Sequence, residues 1–116
     1  MKMNGARILV LEDEPIIGFA LEDILAAEGA HSFLATTLDE AETAVAGQAF
    51  DCGILDVNVH GGKSYGVAAR LREGGIPFLF ATGYGETAHP PEFADVPTLS
   101  KPYSPGQVRR AIDAIA

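Results

Sequence analysis

Four short apolar runs in this chain each end in a polar group able to do chemistry. Ile8-Leu9-Val10-Leu11 ends in Glu12-Asp13-Glu14, and Phe50-Asp51-Cys52-Gly53-Ile54-Leu55 ends in Asp56. Pro77-Phe78-Leu79-Phe80-Ala81 ends in Thr82, and Thr98-Leu99-Ser100 ends in Lys101-Pro102. If the runs are parallel strands, acids, hydroxyl and amine meet at the carboxyl edge of one sheet, where open α/β sheets bind ligands. Two carboxylates about 4 Å apart repel by roughly 4 kcal/mol at an effective dielectric near 20. A cluster of Glu12, Asp13 and Asp56 therefore takes up protons or recruits a cation. A few carboxylates with retained waters suit magnesium. Beside such an ion, Asp56 is placed to act as a nucleophile and form an aspartyl phosphate. Lys101 would then pair with the phosphoryl oxygens, and Thr82 would donate a hydrogen bond to one of them.

Taken singly, each residue has a plainer reading. Acids end many strands because loops are solvated. Lys101 before Pro102 reads equally as a surface lysine, and Thr82 before Gly83 as turn chemistry. The order of all of them at successive strand ends is what favours a site.

The elements that must position these groups alternate along the chain. Strands are predicted at 6–12, 31–36, 50–57 and 77–82, with a short stretch at 98–100. Pro15 suits the first turn of a helix, Ile17, Leu21, Ile24 and Leu25 recur at helical spacing, and Gly29 is a candidate cap. Thr37 and Glu40 have capping-box spacing for a second helix closing near Gly47. Val67, Ala68 and Leu71 mark a third helix, ending at Gly74-Gly75. Ser104 and Gln107 repeat the capping-box spacing, with Pro105 between them and an apolar stripe of Val108, Ala111, Ile112 and Ile115 behind. Between 83 and 97, Gly83, Gly85, Pro90, Pro91 and Pro97 leave room only for a short or irregular helix. The pattern predicts one β-α alternating domain over 1–116.

The 116 residues suffice for one core. A net charge of −8 argues against nucleic acid as a direct partner. Cys52 has no mate for a disulfide and reads as a small buried hydrophobe in a reducing cytoplasm. No apolar run is long enough to span a bilayer, and Met1-Lys2-Met3-Asn4 leads directly toward a strand, without a signal-peptide pattern. These features predict a cytoplasmic protein with no membrane partner.

Glu12-Asp13, Asp56, Thr82 and Lys101-Pro102 make the chain resemble the receiver domain of bacterial response regulators over essentially its whole length. The resemblance implies a flavodoxin-like (βα)5 fold, doubly wound, with a parallel sheet in strand order 2-1-3-4-5. It implies Asp56 as phosphoacceptor with Thr82 and Lys101 assisting. It implies Mg2+ held by Asp13, Asp56 and the main-chain carbonyl of Asn58, with Glu12 acting largely through water. The chain would be a stoichiometric phosphoacceptor rather than an enzyme, able to catalyse its own phosphorylation and dephosphorylation, in a two-component or phosphorelay system. Its donor would be a sensor histidine kinase or a histidine phosphotransfer protein, and its target a further protein. Ile54-Leu55-Asp56-Val57-Asn58-Val59, Ser64-Tyr65 and the run Pro77 to Gly85, with Phe80-Ala81-Thr82-Gly83-Tyr84, resemble more closely the stand-alone alphaproteobacterial receivers called FAT GUY, associated with HWE-type kinases.

Two positions depart from the family pattern. His60 stands where most receivers have proline, and Thr98 where most have an aromatic residue that moves inward on activation. Without an aromatic at Thr98, and with its glycines and prolines, the segment 82–98 is expected to carry the conformational change; separately, the resemblance implies a kinase-docking surface at the apolar Ile16, Ile17 and Ala20 with Tyr103. His60 itself reads as a solvated loop histidine, and Gly61-Gly62 as a turn rather than a phosphate cradle. Three other readings compete. A pseudo-receiver without phosphotransfer would be expected to have lost one of the acids, Asp56, Thr82 or Lys101. A phosphatase of the haloacid-dehalogenase type would want an acid where Asn58 stands. A flavodoxin-like cofactor binder would want a phosphate loop where Glu12-Asp13-Glu14-Pro15 repels one.

Overall fold

The computed structural model describes residues 3–83 and 89–115. Tyr84 and Gly85 lie outside the described residues, as do Met1 and Lys2. Strands β1 (Arg7–Leu11), β2 (His31–Ala35) and β3 (Cys52–Asp56) are interleaved with helices α1 (Pro15–Ala27) and α2 (Leu38–Gly47). A two-residue pair, β4 (Asn58–Val59) and β5 (Gly62–Lys63), precedes α3 (Tyr65–Glu73). Then come β6 (Phe78–Thr82), a 3-10 turn at Pro91–Phe93, β7 (Thr98–Ser100) and α4 (Pro105–Ile115). The main sheet is parallel, in the order β2-β1-β3-β6-β7. Omitting the β4-β5 hairpin, this is the predicted 2-1-3-4-5 order of a flavodoxin-like doubly wound sheet. Between β6 and β7 the 3-10 turn is the only helical element among the described residues, as the prolines require.

Alternation within each strand builds two cores. Ile8, Val10, Cys52, Ile54, Leu79 and Ala81 face one side, where α1 and α4 cover them with Leu21, Leu25, Val108 and Ile112. Leu9, Leu11, Leu55, Phe78 and Phe80 face the other, against Ala41, Ala44, Val67 and Leu71 of α2 and α3. Strands buried on both faces read as continuous apolar runs, and these do.

The helix ends follow the capping signals. Ser104 Oγ accepts from the Gln107 N–H at 3.3 Å, and Gln107 Oε1 accepts from the Ser104 N–H at 2.8 Å, a complete reciprocal box. Thr37 caps α2 through the Glu40 N–H at 3.1 Å. Glu40, however, reaches one residue further back and accepts from both the N–H and the hydroxyl of Thr36. Gly29 follows α1 with φ +83, the left-handed conformation glycine tolerates.

Candidate functional site

Strand register carries the polar ends to one line. Leu11 pairs with Leu55, Asp56 with Ala81, and Thr82 with Ser100. Glu12 is one residue past the first pair and Lys101 one past the last. β1 and β3 are the strands where the order reverses, so Glu12, Asp13 and Asp56 flank the crevice expected of a doubly wound sheet. The Lys101 N–H donates to the Thr82 carbonyl at 2.8 Å, which holds the lysine beside the threonine. The Lys101–Pro102 peptide is cis.

The structure brings all the predicted side chains to this edge. Lys101 Nζ lies 2.5 Å from Glu12 Oε1 and 3.0 Å from Asp56 Oδ2. Glu12 is 1% exposed and Asp56 7%; Thr82 is also buried. The Glu14 N–H donates to Glu12 Oε2 at 3.2 Å. Asp13 is half-buried, and its Oδ2 accepts the main-chain N–H of His60 at 2.9 Å. Carboxylate oxygens of Glu12, Asp13 and Asp56 all lie within 4.8 Å of one another. Oxygens sharing one magnesium ion stand at most about 4.2 Å apart, twice the usual bond length. Small side-chain rotations, or a water bridging Glu12, would close that difference. The donor set, hard oxygens with one ammonium among three acids, fits a divalent cation.

The electrostatics show the strain of this crowding. Desolvation pushes the Glu12 carboxyl up to about 7; Lys101 opposes this and the Asp56 charge adds to it. Burial would lower the Lys101 ammonium, but the hydrogen bonds to Glu12 and Asp56 outweigh it and raise it to about 12. Burial also pushes Asp13 up, yet the His60 N–H, with help from Glu12 and the His60 ring, brings it below its ordinary value.

Two features escaped the sequence. The first is the β4-β5 hairpin, whose tip supplies the N–H on Asp13. The second is His89, whose Nε2 lies 2.7 Å from Thr98 Oγ1 and whose Nδ1 lies 3.3 Å from the Tyr65 hydroxyl. Its ring centroid stands 4.5 Å from that of Phe80. Thr98 thus lacks the aromatic ring but holds one by hydrogen bond. The available signal was weak: a histidine beside Pro90-Pro91, with no partner at helical or strand spacing.

A groove of about 950 Å3 opens from the acids along α1 to Pro102 and Tyr103. Ile16, Ile17, Ala20 and Tyr103 all line it, and Ile16 is 83% exposed.

The solved structure of SdrG from Sphingomonas melonis Fr1 is 37% identical, with a TM-score of 0.85 over 99% of this chain and 98% of that one. The response regulator REC domain of PhyR from Erythrobacter litoralis is 25% identical, with a TM-score of 0.78 over 97% and 91%. The chain belongs to the response regulator receiver family. A BeF3-activated conformation of SdrG is also known, 39% identical with a TM-score of 0.79 over 93% of each chain. Among curated proteins, the transcriptional regulatory protein TcrA of Mycobacterium tuberculosis is 36% identical over 86 residues, 72% of this chain. The receiver chain spans about a third of the length of the curated relatives it matches. No protein-family model matches it. The family places the chain in two-component signalling. No helix among the described residues is long and apolar enough to cross a membrane.

The raised Glu12 carboxyl has a consequence for stability without metal. Between pH 4.5 and about 7 the folded protein keeps a proton that the unfolded chain has lost. The stabilisation is complete below 4.5 and is lost as pH rises through about 7, a decline of roughly 3 kcal/mol at 1.4 kcal/mol per unit. Asp13 contributes with the opposite sign, but at or below its ordinary 3.8, outside this window. Urea unfolding in a chelator should therefore show falling stability from pH 5 to 8 that flattens in Glu12→Gln. An equally steep fall in that variant would exclude Glu12 as its origin.

Proposed function

We propose that this receiver accepts a phosphoryl group on Asp56 from a sensor histidine kinase or a histidine phosphotransfer protein, with Mg2+, and changes conformation around residues 82–98. The observation that carries the reading is the convergence on Asp56: Lys101 Nζ touches it at 3.0 Å, and two further acids share its crevice. An Asp56 carboxylate oxygen attacks phosphorus, a P–O bond forms as the P–N bond of the phosphohistidine breaks, and the imidazole nitrogen leaves with the electron pair. Lys101 shifts from the carboxylate to the new phosphoryl oxygens, and the Thr82 hydroxyl donates to one of them. Glu12, Asp13, Asp56 and the Asn58 main-chain carbonyl would hold Mg2+, which supplies positive charge to the carboxylates and the phosphoryl group. The chain acts stoichiometrically rather than as an enzyme, and the same groups would assist its own phosphorylation and dephosphorylation.

The run Phe78-Leu79-Phe80-Ala81-Thr82-Gly83 supports membership of the FAT GUY subclass and a kinase of HWE type. Tyr84, which would complete the motif, lies outside the described residues. The buried lone Cys52 supports a reducing, cytoplasmic setting. The downstream partner is a protein rather than nucleic acid, given the −8 charge.

Within 82–98 the far part is anchored. Phe93 is buried, and the Arg72 guanidinium stacks over the rings of Phe93 and Phe78 at 5.1 and 5.5 Å. Arg72 also donates to the Glu92 carbonyl and, at 3.3 Å, to Asp95. The expectation for 82–98 as one moving part is accordingly narrowed: rearrangement starts at Thr82 and reaches the His89 bridge, with 91–97 holding. Hydrogen exchange with and without beryllofluoride should change most from 82 to 90. A change centred on α2 instead would remove this segment as the switch.

Incubation with acetyl phosphate and Mg2+ should phosphorylate the wild-type chain and leave Asp56→Asn unmodified. Full phosphorylation of that variant would defeat the assignment.

The groove beside α1 should seat the kinase, since its exposed apolar residues are those enriched at partner faces. Ile16→Glu is expected to slow transfer from the cognate kinase about tenfold or more, the effect of losing 1.4 kcal/mol or more of docking. Its labelling by acetyl phosphate should stay unchanged. Equal loss of both reactions would place the damage in the site rather than in docking.

A further inference from the structure

The connection from β3 to α3 is a built hairpin. Asn58 pairs with Lys63 and Val59 with Gly62, antiparallel, around a two-residue turn of His60 and Gly61. Both turn residues have positive φ, +49 and +81, as in the type I′ turns whose twist matches a hairpin. The Ser64 N–H closes the base on the Val57 carbonyl at 3.0 Å, and Lys63 Nζ donates to Asn58 Oδ1 at 2.6 Å. A Cβ at Gly62 would lie 2.8 Å from Leu38 Cδ1, so the hairpin is seated tightly on the start of α2.

The tip of this hairpin reaches across the crevice. His60 N–H donates to Asp13 Oδ2 although the residues are 47 apart in sequence. The imidazole does not make that bond: its Nδ1 is 4.0 Å from the same oxygen, and the side chain is 61% exposed. A main-chain N–H on one oxygen restrains the rotation of a carboxylate that also stands with Glu12 and Asp56. It also costs no side-chain entropy when the cation arrives, because the turn already holds the donor in place.

We propose that the His60-Gly61 turn is the positioning device of the cation site: the His60 main-chain amide orients the Asp13 carboxylate, and the backbone conformation of the turn, not the imidazole, sets metal affinity. This deepens the reading of Glu12, Asp13 and Asp56 as a divalent-cation site and rests on it. The residue requirement at position 60 follows directly. In the turn this chain adopts, position 60 must keep its N–H and accept a positive φ, although most receivers have proline there. Proline offers neither, because its nitrogen carries no hydrogen and its φ is fixed near −65°. Asparagine offers both.

Mg2+ titration of the full chain, followed by calorimetry and by the position-60 amide resonance, tests the proposal. His60→Asn should bind Mg2+ within about twofold of wild type and keep a hydrogen-bonded amide that responds to the metal. His60→Pro should lose about tenfold or more in affinity, the effect of one charge-assisted hydrogen bond. Gly61→Ala covers the case in which the proline variant fails to fold. Its Cβ meets nothing within 4 Å, so only the left-handed turn is penalised, and affinity should fall roughly threefold to tenfold. A loss in His60→Asn as large as in His60→Pro would make the imidazole the ligand and overturn the proposal. Wild-type affinity in Gly61→Ala and in a folded His60→Pro would also overturn it. Failure of the underlying cation site has a different signature: wild type and Asp13→Asn would then bind Mg2+ equally.

Discussion

Three carboxylates and one ammonium share a crevice that the sheet cannot avoid making. The register that pairs Leu11 with Leu55 and Asp56 with Ala81 delivers Glu12 and Asp56 to the same line, and the apolar cores on both faces lock that register. A one-residue slip would turn Ile8, Val10 and Ile54 toward the wrong helices. The charges are therefore held together by hydrophobic burial rather than by their mutual attraction. Glu12 shows the cost most directly, since desolvation, with the Asp56 charge adding to it, carries its carboxyl toward neutral pH. Lys101 offsets part of the repulsion, but one ammonium cannot neutralise three acids. The surplus of negative charge would favour a divalent cation and would oppose an anionic group entering alone.

Lys101 then has a partner to exchange. It lies between Glu12 and Asp56, at 2.5 and 3.0 Å. A phosphoryl group on Asp56 would remove one of those acceptors and present three oxygens in its place. A cation among the acids would compete for Glu12 at the same time. The lysine's main-chain bond to Thr82 would couple this exchange to the strand that opens the 82–98 segment.

The fold and most of this site were legible in the sequence because both rest on local patterns. Runs such as Leu79-Phe80-Ala81 are apolar on both faces, and the polar residue after each run marks the strand end. The capping pairs Thr37 with Glu40 and Ser104 with Gln107 also hold, although Glu40 settles on Thr36, because its long side chain can choose between neighbouring donors. The hairpin at 58–63 left no such trace. Its strands are two residues long, too short for alternation, and its turn places histidine at a positive φ where asparagine or glycine is the usual signal. The His60 contact is made by a main-chain N–H, which no side-chain motif can report. The His89 bridge is invisible for a different reason: it links Tyr65 on α3 to Thr98 on β7, and only the packed aromatic cluster around Phe80 brings them together.

The two faces of the sheet divide the work of holding and signalling. On the face of α2 and α3, Phe78, Phe80 and Phe93 form an edge-to-face cluster capped by Arg72, so the chain after Pro90 is tied to the core. On the other face, α1 buries Leu21 and Leu25 completely but turns Ile16 and Phe19 to solvent, 83% and 57% exposed. Gly18 lies between them, where a Cβ would stand 2.8 Å from Leu34, so the helix sits close to β2 and cannot roll to hide those side chains. Scattered apolar residues on a surface need no explanation, but two on one exposed helix edge, beside a groove that ends at Asp56, do. Close packing beneath α1 keeps its outer edge available to a partner, while the proposed phosphoryl chemistry next to it would be set by the strand ends.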